Sequence, residues 1–387
     1  MTASSAGRWQ AAGWMYAGFV LTGVGTTLLG CALPTLIANW HMNDARAGGL
    51  FAAQFAGSAL GAALVTHDLF NSIIRGYVLL TVGALSLACF SGSPRSWLFL
   101  ILGLGLGLSM TATSILTSAM FPANRGAALS LLNACWGVGA VLCPGLVSFW
   151  VFRWGIATLY LAFGLVSALV LVFARRLPPD MSSNSTSDPR MARDRSPLKL
   201  IAAFALVGFL YVGVEASVSG WMMAYVRRLT SAHDLWAPVA VSCFWIALLG
   251  GRAVAPAVLR RISEEQLLSI SLLGAFVGVL LLIGGRSGLT IILTATLSGL
   301  VLGPIYPLCL AKILALANDS PRTKWIFGAC GFGGALLPWL TGRISAYRGS
   351  LSVGLIVPLG ALAAMILLQL AATQKSPQPV ADNLAIR

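Results

Sequence analysis

Long apolar runs separated by short polar breaks fill the chain from residue 12 to residue 372. Twelve can be drawn. The first six are 12–36, 47–66, 75–92, 97–120, 126–150 and 155–175; the second six are 199–226, 236–259, 266–285, 288–313, 325–345 and 349–372. Each has about the length at which a helix crosses the hydrocarbon layer of a bilayer. The short alternating segments of a membrane β-barrel are not visible. The pattern therefore predicts an all-α membrane protein of twelve transmembrane helices, with short loops making consecutive helices antiparallel neighbours.

One break is long. Arg176–Ser196 (RLPPDMSSNSTSDPRMARDRS) is rich in Ser, Asp, Arg and Pro and has no apolar period, so it reads as a flexible linker. It divides the chain into a six-helix bundle at 1–175, a linker at 176–198 and a second six-helix bundle with a short tail at 199–387. Internal matches relate the two bundles. Gly18-Phe19, Gly23 and Gly30 match Gly208-Phe209, Gly213 and Gly220 at an offset of 190 (208 − 18). Gly103-Leu104, Leu106 and Gly107 match Gly299-Leu300, Leu302 and Gly303 at 196 (299 − 103). Ala134-Cys135, Gly139-Ala140 and Leu142 match Ala329-Cys330, Gly334-Ala335 and Leu337 at 195 (329 − 134). An even number of spans separates the copies, so the bundles form parallel repeats, the pattern of transporters that bind solute between their halves.

Composition agrees: 58% of residues are hydrophobic and 9% charged, against about a quarter charged in soluble domains. The formal charge of +14 sits in pairs at helix ends, without the basic helix or aromatic interleaving of a nucleic-acid surface. With the N-terminus inside, the cytoplasmic segments hold sixteen basic residues and the opposite face eight. That places both termini in the cytoplasm of a bacterial-type plasma membrane, with lipid headgroups as contacts. The first apolar run is too long for a signal-peptide core and no cleavage site follows, so it is read as a retained helix. The seven cysteines lie within apolar runs without metal-ligand spacing and read as small buried hydrophobes. No metal site, cofactor or Ser/His constellation is expected, so the chain is not read as an enzyme.

Of eleven Asp and Glu, only Glu215 falls well inside a span. An ionisable group there is costly unless it faces a cavity or a partner, so it is a functional candidate; the alternative is a protonated acid hydrogen-bonded between helices. No basic residue stands near it in sequence to give it a structural duty, so Glu215 is read as the group that takes up a coupling proton or sodium ion. Trp136, Tyr211, Trp221 and Trp245 lie too deep to be interface anchors; an aromatic face beside polar groups suits a sugar or an amphipathic ligand, and for each Trp the alternative is lipid-facing or helix-packing bulk. Gln54 and Asn133 cost more to bury than Ser or Thr and are expected to line the cavity. Most span Ser and Thr, among them Thr26, Thr27 and Ser219, are assigned to helix–helix bonding. Arg252 lies toward the cytoplasmic end of its span, where it snorkels or pairs across a gate.

Several stretches resemble a known family. Two six-helix halves around a polar loop resemble the major facilitator superfamily. Its fucose–galactose–glucose:proton symporter branch is resembled by Tyr211-Val-Gly-Val-Glu215 with Trp221, by Phe244-Trp-Ile-Ala-Leu-Leu-Gly-Gly-Arg252 and by Gly299-Leu-Val-Leu-Gly-Pro-Ile-Tyr-Pro307. Gly331-Phe-Gly-Gly-Ala-Leu-Leu-Pro-Trp339 and Asn133 through Pro144 extend the likeness. The resemblance implies symport of a small neutral sugar by rocking of the halves, and adds Tyr306 to the cavity. The branch's founding members carry acids in spans one and four, which are absent here, so that relay does not transfer. Leu64–Gly76 resembles a degraded form of the superfamily's loop motif, leaving Asp68 and Arg75 as gating remnants. Gly139-x-x-x-Cys143-Pro144-Gly145 resembles the fifth-span motif of drug:proton antiporters, with Cys143 in place of a glycine. The expectation is a monomeric, cation-coupled symporter of a small sugar-like solute; the alternative is a multidrug or amphiphile:proton efflux antiporter.

Overall fold

A computed structural model describes residues 5–175, 198–230, 235–309 and 323–373. The first half holds α1 (Ser5–Asn39), α2 (Asp44–Ala63), α3 (Leu69–Cys89) and α4 (Ser96–Met120). A 3-10 turn at Pro122–Asn124 leads into the helical stretch Arg125–Ala174, which breaks at Gly155 (φ 83, ψ 173). Glycine tolerates that conformation because it has no Cβ, and the break separates α5 (125–154) from α6 (156–174). The second half holds α7 (Leu198–Leu229), α8 (Trp236–Val258), α9 (Glu264–Gly284), α10 (Gly288–Leu302), α11 (Thr323–Arg348) and α12 (Ile356–Thr373).

These twelve helices fall on the expected runs, with several boundaries corrected: α1 begins at Ser5 rather than residue 12, α10 ends at Leu302 rather than 313, and α12 begins at Ile356 rather than 349. Span three begins at Leu69 rather than residue 75, because Asp68 caps it by accepting from the Asn71 N–H at 2.9 Å. Among the described residues nine stretches are long and apolar enough to cross a membrane, and one of these, Pro122–Ala174, is 53 residues long. Helices α2 and α11 fall outside that set: they are rich in Gly and Ala and pack against each other between the halves. The expected linker 176–198 lies outside the described residues apart from Leu198, the first residue of α7.

The repeat recurs in space. In the first half Gly103 and Gly107 of α4 seat against the Gln54 and Ser58 carbonyls of α2; in the second, Gly299 of α10 and Gly303, which caps it, seat against the Phe244 and Leu248 carbonyls of α8. Gly139 of α5 meets the Val20 carbonyl of α1, and Gly333 of α11 meets the Phe209 carbonyl of α7. The residue equivalent to Gly139 is thus Gly333. Gly334, which the sequence match selected, turns instead to Phe55 of the other half.

The halves meet along α1–α7, α2–α11 and α5–α8. At the first of these, two repeat-related glycines face each other: a Cβ on Gly30 would lie 2.9 Å from the Gly220 Cα. The two copies of one sequence element therefore touch across the axis that relates the bundles. At α5–α8 the Ser242 hydroxyl donates to the Val141 carbonyl at 2.9 Å.

Candidate functional site

A small, partly open cavity lies between the halves. The first half contributes Thr26 and Thr27 of α1, Phe51 and Phe55 of α2 and Trp136 of α5; the second contributes Glu215 and Ser219 of α7 and Trp245 of α8. Glu215 therefore faces the space between the bundles, with 18% of its side chain exposed.

It is not alone there. Tyr211, one turn earlier on α7, donates its hydroxyl to Glu215 Oε2 at 2.6 Å, and Arg252 Nη2 reaches the same oxygen at 2.9 Å. The sequence reading of a lone acid is corrected here. Helices α7 and α8 are adjacent in the chain, so depths can be compared from their shared end. Glu215 lies 14 residues (229 − 215) before α7 ends and Arg252 lies 16 (252 − 236) after α8 begins. At 1.5 Å per residue these are about 21 and 24 Å, one level in the membrane. Arg252 consequently neither snorkels nor spans a gate; it turns inward within its own bundle. A buried carboxylate and guanidinium together are tolerable where either alone would carry a heavy desolvation cost. Tyr306 stacks on Tyr211, with ring centroids 5.6 Å apart, and backs the cluster.

The other expected cavity residues divide. Trp136 and Trp245, one from each half, meet edge to face at 5.3 Å and both line the cavity. The Trp136 indole approaches the Thr26 hydroxyl at 3.5 Å, while the buried Trp245 N–H has no acceptor. Tyr211 is wholly buried behind Glu215. Gln54 is behind the wall, not on it: its amide donates to the Thr26 carbonyl at 3.2 Å and its buried Oε1 has no partner. Asn133 is exposed and donates to its own helix at Leu129, one turn from Trp136 on the same face. Trp221 is fully buried and donates to the Pro338 carbonyl at 3.0 Å, with Phe51 packed 5.6 Å away. Its position is that of a packing post between α7, α11 and α2, not a cavity wall.

Sequence reasoning passed over Phe51 and Phe55, whose i, i+4 spacing looks like any packed helix face. Thr26 and Ser219 do bond back to their own helices, as expected of helix glue, yet they also line the cavity.

A second charged cluster closes the end of the seam away from the linker. Asp44 at the start of α2 takes a forked ion pair from Arg228 at the end of α7, at 2.6 and 2.7 Å, and a hydrogen bond from the Ser345 hydroxyl of α11. The Asp44 side chain is 10% exposed and that of Arg228 40%. This contact joins the halves; Asp68 and Arg75, expected to gate the cytoplasmic side, lie at the other end. Asp68 serves as the α3 cap, and among the described residues no ion pair joins it to Arg75.

Residues 15–324 match a family model described as the Major Facilitator Superfamily. Bypass of stop codon protein 6 of Saccharomyces cerevisiae is 24% identical over 380 residues, 84% of this chain and 75% of that protein. The glucose/mannose transporter GlcP of Bacillus subtilis is 26% identical over 152 residues, 38% of this chain and 37% of its own length. Among solved structures, a D-xylose-proton symporter superposes with TM-score 0.71 at 14% identity, covering 91% of this chain and 95% of that one. The transporter FucP in its outward conformation gives 0.59 at 17% identity, with 92% and 97% covered.

Proposed function

Because the chain belongs to the Major Facilitator Superfamily, we propose that it carries a small sugar-like solute through the central cavity in symport with a proton or sodium ion. It is a membrane transporter and not an enzyme. The observation that carries the coupling reading is that Glu215 faces the cavity between the halves while its carboxylate is held by Arg252 and Tyr211. Such a carboxylate exchanges partners rather than standing empty. A proton or sodium ion arriving from the cavity competes with Arg252 for Glu215, and departure of the cation restores the internal pair. The solute sits among Trp136, Trp245, Thr26, Thr27 and Ser219. The halves then rock about α1–α7, where Gly30 and Gly220 allow close approach, while the Asp44–Arg228 latch parts and reforms at one end.

The sugar-like class is supported by the likeness to GlcP and by the fold shared with the xylose and fucose symporters. On this proposal the chain is a monomer in a bacterial-type inner membrane, and the two-to-one excess of basic residues supports placing its termini inside. A second reading rests on the lining itself: Phe51, Phe55, Trp136 and Trp245 with Val212 and Val241 make it largely apolar, which suits amphiphile efflux.

Counterflow in proteoliposomes with a panel of labelled sugars separates these readings. The wild type is expected to accumulate a sugar-like solute down an imposed cation gradient. Glu215→Gln is expected to lose gradient-driven accumulation and keep exchange. Equal accumulation by the variant removes Glu215 from coupling, and exchange of amphiphiles alone selects the efflux reading.

A further inference from the structure

We propose that the carried solute bears a carboxylate, as a sugar acid or similar small hydroxy acid does, and that Arg252 receives it. This rests on Glu215 being the coupling carboxylate and adds the charge of the solute.

Three observations converge. The first is the unused capacity of Arg252. A guanidinium presents five N–H donors in a planar fork matched to a carboxylate. Among the described residues Nη2 bonds Glu215 and Tyr211, and the buried Nε has no partner. The second is the charge count. Glu215 is the one charged residue on the cavity lining among the described residues; Arg252 stands behind it with 25% of its side chain exposed, and the pair is neutral. Once a cation neutralises Glu215, Arg252 is left as an uncompensated positive charge, which a half-buried site resists. A neutral sugar leaves that charge standing, whereas a carboxylate removes it. The third is the rim at the latched end of the seam. Arg46, Arg227, Arg343 and Arg348 are exposed at the far ends of α2, α7 and α11, beside Arg228 of the latch. Of the described carboxylates only Asp44 stands at that end. When the latch parts, a rim of one sign concentrates solutes of the other.

The loaded cavity then carries Arg252 with the solute carboxylate and Glu215 with its cation. The solute hydroxyls face Thr26, Thr27 and Ser219, and its ring faces the two tryptophans. One cation and one carboxylate cross together, so the coupled step moves no net charge.

The test uses the full-length protein in proteoliposomes, with D-glucuronate and D-gluconate compared against D-glucose. Expected are exchange of at least one acid, competition by D-glucose weaker by roughly tenfold or more, and coupled uptake that ignores an imposed membrane potential. Removing one partner of the pair threatens folding, so the variant is the charge-neutral double change Glu215→Gln with Arg252→Gln. It is expected to lose the preference for acid over neutral sugar. Preference for D-glucose, potential-driven uptake of the acid, or an unchanged preference in the double variant would each overturn the proposal. D-glucose accumulation that depends on Glu215 sinks this inference and leaves the symport reading standing; transport of neither sugar nor acid sinks both.

Discussion

Glu215 and Arg252 show why a charged residue inside a membrane must be judged with its neighbour. Each alone would carry an uncompensated charge in a low-dielectric place, and the pair at 2.9 Å is what makes both tolerable. Removing one partner should therefore cost more than removing both. Buried pairs lose about 3–5 kcal/mol when one member is deleted. With 25% and 18% of these side chains still exposed, a smaller loss of about 2 kcal/mol is expected for Arg252→Gln. The double change to Gln at both positions should regain most of it, as a double-mutant cycle of melting temperatures in detergent can measure. Additive losses would mean that the two groups do not support each other. The sequence did expose Glu215 as a candidate. The partner was missed because proximity was sought along the chain, whereas antiparallel helices bring together residues at matching depth.

At the level of helices, contact is set by glycines that admit a neighbour's carbonyl. Gly107 of α4 against Ser58 and Gly303, capping α10, against Leu248 are the same contact made twice. In both, an added Cβ would meet backbone, which cannot swing aside as a side chain can. Gly107→Ala and Gly303→Ala should each destabilise by about 1–3 kcal/mol, the usual range for overpacking. Gly49→Ala in α2 has open space around the new methyl and should be neutral or stabilising by up to about 1 kcal/mol. Thermal unfolding of the three variants provides the comparison, and equal behaviour at Gly107 and Gly49 would count against close approach as the reason for the repeat. The repeats were legible as matching letters. That Gly333 rather than Gly334 is the counterpart of Gly139 was not, because a one-residue shift barely alters a match in a glycine-rich stretch but rotates the face by about 100°.

For the whole transporter, the Asp44–Arg228–Ser345 contact bears on which end of the cavity is shut. It joins α2 to α7 and α11, so it is present only while the halves are closed at that end. Asp44→Ala should shift the population toward opening there. Because Arg228 is 40% exposed, the pair is worth only about 1 kcal/mol, a few-fold change in ratio. The readout is labelling of Ser219→Cys by a membrane-impermeant thiol reagent added from that side, in a background cleared of native cysteines. A faster rate is expected with Asp44→Ala, with return toward the parent rate when Asp44→Arg is combined with Arg228→Asp. No change in rate would show that the contact does not hold the seam.

The sequence by itself determined the membrane class, the order of the helices with most ends within a few residues, the recurring glycine contacts and the intramembrane acid Glu215. Hydrophobic run length and the period of glycines are local properties of the chain, and the bilayer leaves helices few alternatives. Only the tertiary structure decided which deep residues face the cavity. It put Trp136, Trp245 and Glu215 there, set Trp221 and Gln54 behind the wall, and brought Arg252 to Glu215 and Arg228 to Asp44. Those outcomes depend on helix rotation and depth relative to another helix, and such relations are properties of pairs of helices.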